Sequence, residues 1–150
     1  MIDVQGAPNQ EQIGILFNIV KRYGLLDKAM WQFYDFTQMS YLTSLYDETK
    51  HYANVAFNCG PSTVLSDIIT GLTWYKYTSG HKINKAIIVL SRTRLTKAFV
   101  DECNEKEIDI SAYFADSYQE VRELMSVGGH ISYITTNGVD LPYYIARNFY

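Results

Sequence analysis

The sequence predicts an α/β fold with a mostly parallel sheet and flanking helices. Two observations carry this. Segments of helical period alternate with strand-like segments along the chain. Residues 85–90, KAIIVL, form a continuous apolar run of the kind that a parallel strand shows when both its faces are covered. The length, 150 residues at 47% hydrophobic and 19% charged, suits one globular domain rather than a disordered chain.

Each element follows from local pattern. Residues 1–9 read as a polar tail, and residues 10–150 as a single domain. Ile13, Leu16, Phe17 and Val20 recur at helical spacing, so residues 10–23 form a helix that Asn9 caps and Gly24 stops. Residues 26–33 add a short helix. Asp35 and Gln38 stand as N-cap and N3 of a capping box, opening a helix that runs to about Glu48. Residues 53–57 suit a buried strand. Asn58 to Pro61 form a turn, and Pro61 sits near the first position of a helix with an apolar stripe of Val64, Leu65, Ile68, Ile69, Leu72 and Tyr75. After the strand at 85–90, Ser91 caps a helix over 93–105. A strand at 110–114, a helix at 117–126 and a strand from His130 to Thr136 follow, and Asn137-Gly138 marks a tight turn.

Charge is unevenly placed. Residues 68–100 carry six basic side chains (Lys76, Lys82, Lys85, Arg92, Arg94, Lys97) and no acid, while residues 101–123 carry eight acids and two bases. The plain expectation is that the basic segment folds against the acidic one. The sharper one is a basic face for nucleic acid or an acidic partner. Trp31, Phe33, Tyr34 and Phe36 cluster as core or as partner anchors, and Trp31, Tyr34, Phe36, Tyr144, Phe149 and Tyr150 are the interface candidates. The aromatic terminus makes a homodimer an expectation.

Several classes drop out. No run approaches 18 apolar residues, and the first residues lack the basic and apolar regions of a signal peptide. Cys59 and Cys103 are too few for a disulfide framework, which favours a reducing compartment, the cytoplasm. His51, His81 and His130 lie at no ligand spacing, so no metal or cofactor is expected.

The strand, glycine turn and helix at 53–75 have the layout of a phosphate-binding loop. In order, residues 34–38 (YDFTQ), 55–63 (VAFNCGPST), 85–99 and 129–138 resemble the adenine-contacting segment, phosphate loop and core strands of phage large-terminase ATPases. The resemblance covers about three quarters of the chain. It implies a truncated, P-loop NTPase-like domain from the first half of that ATPase. Gly60, Pro61, Ser62 and Thr63 would be a relic of its nucleotide loop. Pro61 stands where that family's loop carries Lys, and no acidic strand end follows. Phosphoryl transfer depends on such charges. The resemblance therefore implies a protein without catalytic residues that acts by binding. It would regulate, decoy or inhibit a packaging, DNA-processing or defence protein, in the host cytoplasm if viral. The alternatives are a nucleic-acid-binding accessory module of packaging or replication, and a weak nucleotide binder.

Overall fold

A computed structural model describes residues 1–128 and 131–137. The chain divides into two compact units, Met1–Ile88 and Val89–Tyr150.

The first unit contains β1 (Ile2–Asp3), α1 (Gln10–Arg22), β2 (Met30–Phe33), α2 (Phe36–Asp47), β3 (Ala53–Asn58), α3 (Leu65–Tyr77) and the start of β4 (Ile83–Ser91). Its strands are neighbours in chain order. β1 pairs with β2 and β2 with β3, both parallel, with Asp3 beside Gln32 and Gln32 beside Ala56. Residues expected as a polar tail thus supply a strand. Residues 30–33, expected as helix, are strand β2. Pairing with β1 and β3 decides it, and sets Trp31 and Phe33, fully buried, on one face with Gln32 and Tyr34 on the other.

The helices form where capping and period agree. Asn9 and Gln12 make a reciprocal capping box, and Ile13, Phe17 and Val20 bury one stripe of α1. α1 packs on α2, whose Met39, Leu42 and Tyr46 are buried. Gly71 of α3 admits the ring of Phe36; a Cβ there would lie 2.3 Å from Phe36 Cζ. Phe36 also stacks on Tyr75 at 5.7 Å and meets Phe57 at 4.6 Å.

The second unit holds the end of β4, a 3₁₀ turn at Arg92–Arg94, α4 (Lys97–Glu105), β5 (Asp109–Tyr113), α5 (Tyr118–Ser126) and β6 (Tyr133–Thr135). β5 and β6 pair in parallel. Thr96, not Ser91, caps α4, because the 3₁₀ turn takes up the residues between them. Val100, Cys103, Ile108, Ile110 and Val121 form its core.

Strands that follow chain order within each unit correct the P-loop-like expectation. A doubly wound nucleotide-binding sheet reverses its order at a switch point, where the ligand sits; neither unit contains such a reversal. The loop differs as well. α3 starts at Leu65, with Val64 as an N-cap that makes no side-chain bond. Gly60, Pro61, Ser62 and Thr63 therefore precede the helix, and the Thr63 N–H donates to the Gly60 carbonyl at 3.2 Å. That amide closes a turn instead of facing a phosphate.

Candidate functional site

In parallel α/β folds the ligand-binding end is where the strands' carboxyl ends and the loops after them converge. In the first unit this end carries a connected polar cluster. The parallel register sets Asp3, at the end of β1, beside Gln32 of β2, and Tyr34 follows two residues on, on the same face. Gln32 Nε2 donates to Asp3 Oδ1 at 3.1 Å and to the Tyr34 hydroxyl at 3.2 Å. Tyr34 Oη donates to Asp3 Oδ1 at 3.0 Å, and Gln5 Nε2 to Asp3 Oδ2 at 2.6 Å. Partial burial, and then the Asp3 carboxylate, raise the Tyr34 phenol above its ordinary value. It is therefore a donor at neutral pH.

Beside the cluster lies an open cleft of about 360 Å³ lined by Gln5, Gly6 and Tyr34. The volume is that of a small-molecule site. Gly6 has φ +76, and a Cβ there would meet nothing within 4 Å, so the space above it is clear. Gln38, at the third position of α2, fixes the Gly6 carbonyl from behind through Nε2 at 3.0 Å.

The second unit has its own cluster after β4, β5 and β6. Arg92 donates to the Phe114 carbonyl at 3.1 Å and pairs with Glu120 and, at 3.5 Å, Glu123. Asp116 accepts from the Asn137 backbone N–H at 2.6 Å and from its side-chain amide at 3.0 Å. Those bonds, the backbone one first, hold the Asp116 carboxyl below its ordinary value. Glu120 is likewise lowered, chiefly by the Asp116 backbone N–H and then by Arg92.

The expected site residues scatter. Arg92 and Lys97, which bonds Asp101 at 2.6 Å, engage the acidic segment. Lys82 donates to the carbonyls of Asp47 and Thr49 at the strands' amino ends. Lys76 lies over the Tyr77 ring, and Lys85 and Arg94 are partnered too. Trp31 is core, its Nε1 on the Tyr46 hydroxyl at 3.0 Å. Phe36 is half-buried against Phe57, and Tyr34 is exposed. Tyr144, Phe149 and Tyr150, with His130, lie outside the described residues. His51 and His81 pair with Asp27 and Asp47, away from the cleft, at the end where the strands begin. Among the described residues no three His, Cys, Asp or Glu side chains gather as a metal cage. No described helix is long and apolar enough to cross a membrane. Asp3, Gln5, Gly6, Gln32 and Gln38 were not among the expected site residues; the alternation at 31–34 was the available signal.

No family model matches the chain, and no curated protein sequence does. Solved structures do. A structure described as a glycerophosphodiester phosphodiesterase of Galdieria sulphuraria matches 96% of this chain at TM-score 0.69 and 14% identity. One from Silicibacter pomeroyi matches 92% at TM-score 0.67 and 10% identity. One from Agrobacterium tumefaciens matches 96% at TM-score 0.64 and 13% identity. The chain has the fold of these phosphodiesterases. It spans about half their length, 46–56%.

The likeness overturns the terminase reading, and with it the expected regulator, decoy or inhibitor of DNA packaging in a viral setting. It also overturns the reading as a non-enzyme. That reading took Pro61 for a lost P-loop lysine and looked for a missing acidic strand. Both belong to a fold that this chain does not share, so neither bears on activity.

Proposed function

We propose that this chain is a phosphodiesterase-type domain that acts on small glycerophosphodiesters at the carboxyl ends of β1 and β2. Likeness to three structures described as such phosphodiesterases, over 92–96% of the chain, carries the reading. The Asp3 cluster supports it, because it lies at the strand end where such folds place their chemistry.

Hydrolysis of a phosphodiester adds water to phosphorus and releases an alcohol. The attacking oxygen must lose a proton and the leaving oxygen must gain one. Asp3 is the one carboxylate in the cluster; it takes the proton from the attacking water and, once protonated, returns it to the leaving oxygen. Gln5, Gln32 and Tyr34 hold its two oxygens from three directions, which fixes its orientation. They are positioning residues. With Asp3 as its one carboxylate, the described cluster does not make a metal cage.

The test is incubation of the full chain with glycerophosphocholine, glycerophosphoethanolamine and glycerophosphoglycerol, with Mg²⁺ or Ca²⁺ and with chelator. Phosphorus NMR follows the products. Conversion of the diester resonance into a monoester resonance is expected. Intact diester in every arm at the level of a protein-free blank overturns the reading.

A further inference from the structure

The amino ends of the strands in the first unit carry a surface that the Asp3 cluster does not use. Three helix ends and the connections after them meet there: residues 21–29, 47–52 and 76–82. Polar contacts join them into one face. His51 of the second segment reaches Asp27 of the first at 2.8 Å, and His81 of the third reaches Asp47 of the second. Lys82 Nζ donates to the Asp47 and Thr49 carbonyls. Each segment sets a base close to an aromatic ring: Arg22 and Tyr23, Lys50 and Tyr52, Lys76 and Tyr77. Tyr23, Leu25, Tyr52, Trp74 and Tyr77 are 44–72% exposed. Large apolar side chains gathered on one face mark a binding surface. The Lys76 ammonium lies 5.1 Å from the Tyr77 ring centre, and Trp74 stands edge-on to Tyr75 at 5.0 Å, so both exposed rings are held in place. The three segments hold six bases against three acids, in a chain of net charge −3. Two of those acids, Asp27 and Asp47, are engaged by His51 and His81.

Independently of the phosphodiesterase reading, we propose that this face docks the protein on the surface of an anionic phospholipid bilayer. Tyr and Trp settle at the headgroup level, where the ring meets the acyl boundary and the polar atom meets water. Leu25 gains by leaving water for hydrocarbon, and it offers no ring on which a nucleic-acid base could stack. The bases beside the rings meet lipid phosphates. A few inserted side chains or a few charges anchor weakly alone, and the two together hold. The docking is peripheral, since no described helix is long and apolar enough to cross a membrane. The Asp3 cluster lies at the opposite end of the strands, so docking leaves its cleft open to water.

The experiment mixes the full chain with phosphatidylcholine vesicles made with and without phosphatidylglycerol. Binding is read by co-sedimentation and by tryptophan emission. Trp31 is fully buried, so a blue shift on binding belongs to Trp74. Binding to the anionic vesicles is expected to be at least about tenfold tighter than to the neutral ones and to weaken as salt rises, with the Trp74 emission shifted to the blue. Lys28 and Lys50 are exposed, and Lys28→Glu with Lys50→Glu is expected to remove that preference. Trp74→Ser with Tyr77→Ser is expected to weaken sedimentation with the anionic vesicles at least about tenfold; should that variant melt early, the charge variant carries the test. No binding to the anionic vesicles, equal binding to both kinds, or a Trp74 emission that does not move overturns the proposal. Unchanged binding in the charge variant overturns it too. Tighter binding to a DNA duplex than to the vesicles, or a concentration-dependent dimer that hides Trp74 from an aqueous quencher, names a different partner for the face and also overturns it.

Discussion

The hydroxyl of Tyr46 joins two buried groups that water does not reach. It accepts from Trp31 Nε1 at 3.0 Å and donates to the Leu26 carbonyl at 3.0 Å. Its ring meets Phe17 edge-on at 5.2 Å. Tyr46→Phe keeps the ring and strands a buried donor and an acceptor, so a loss of about 1–3 kcal/mol is expected in a denaturant melt. A loss within about 0.5 kcal/mol, the size of an ordinary surface change, contradicts this relay. Asp116 gives a pH prediction. Its carboxyl is depressed in the folded protein, so its contribution is complete above the ordinary aspartate value and disappears as pH falls through the lower folded value. The Asn137 backbone amide should therefore keep its folded chemical shift down through the ordinary aspartate range and titrate below it. A midpoint at or above the ordinary value contradicts the bond.

At the scale of elements, Gly71 tests how α3 lies on α2. Helix propensity alone favours Gly71→Ala by about 1 kcal/mol. The Phe36 ring occupies the space that the new methyl needs, and overpacking of this kind costs about 1–3 kcal/mol. A net loss of about 1 kcal/mol is expected, with recovery or gain when the change is made in a Phe36→Leu background. Stabilisation by Gly71→Ala alone contradicts the contact. The same helices show how far local pattern reaches. α1, α2 and α5 were legible because cap and apolar stripe agree within one segment: Asn9, Asp35 and Ser117 all cap as their residue types suggest. The Asp35–Gln38 box formed by half. Asp35 accepts from the Gln38 N–H at 3.0 Å, but the Gln38 side chain turns to Gly6, 32 residues away in sequence. No local pattern contains that partner. β2 was missed for a related reason. Four residues that alternate only once or twice carry little period, and pairing with β1 and β3 fixes them as strand.

For the molecule as a whole, the α/β class was legible because helix and strand patterns alternate, and the topology was not. Strand order depends on which strands pair, and one strand–turn–helix serves many such folds. The loop at 60–63 invited a phosphate-loop reading because glycine, proline and Ser-Thr also make an ordinary connection between β3 and α3. The charge pattern was legible in part: Arg92 meets Glu120 and Glu123, and Lys97 meets Asp101, whereas Lys82 bonds the carbonyls of Asp47 and Thr49 and Lys76 lies over Tyr77. Beyond Tyr34 the candidate site was not legible, because Asp3 comes beside Gln32 only through parallel pairing. We propose that this pairing assembles a phosphodiester-processing centre around Asp3. The most direct measurement is turnover of glycerophosphoglycerol by the wild-type chain and by Asp3→Asn, matched for folded protein. Asp3→Asn preserves size and removes the proton acceptor, so a rate at least about 100-fold lower is predicted, the range typical of a lost general base. An Asp3→Asn rate equal to that of the wild type would place the chemistry elsewhere.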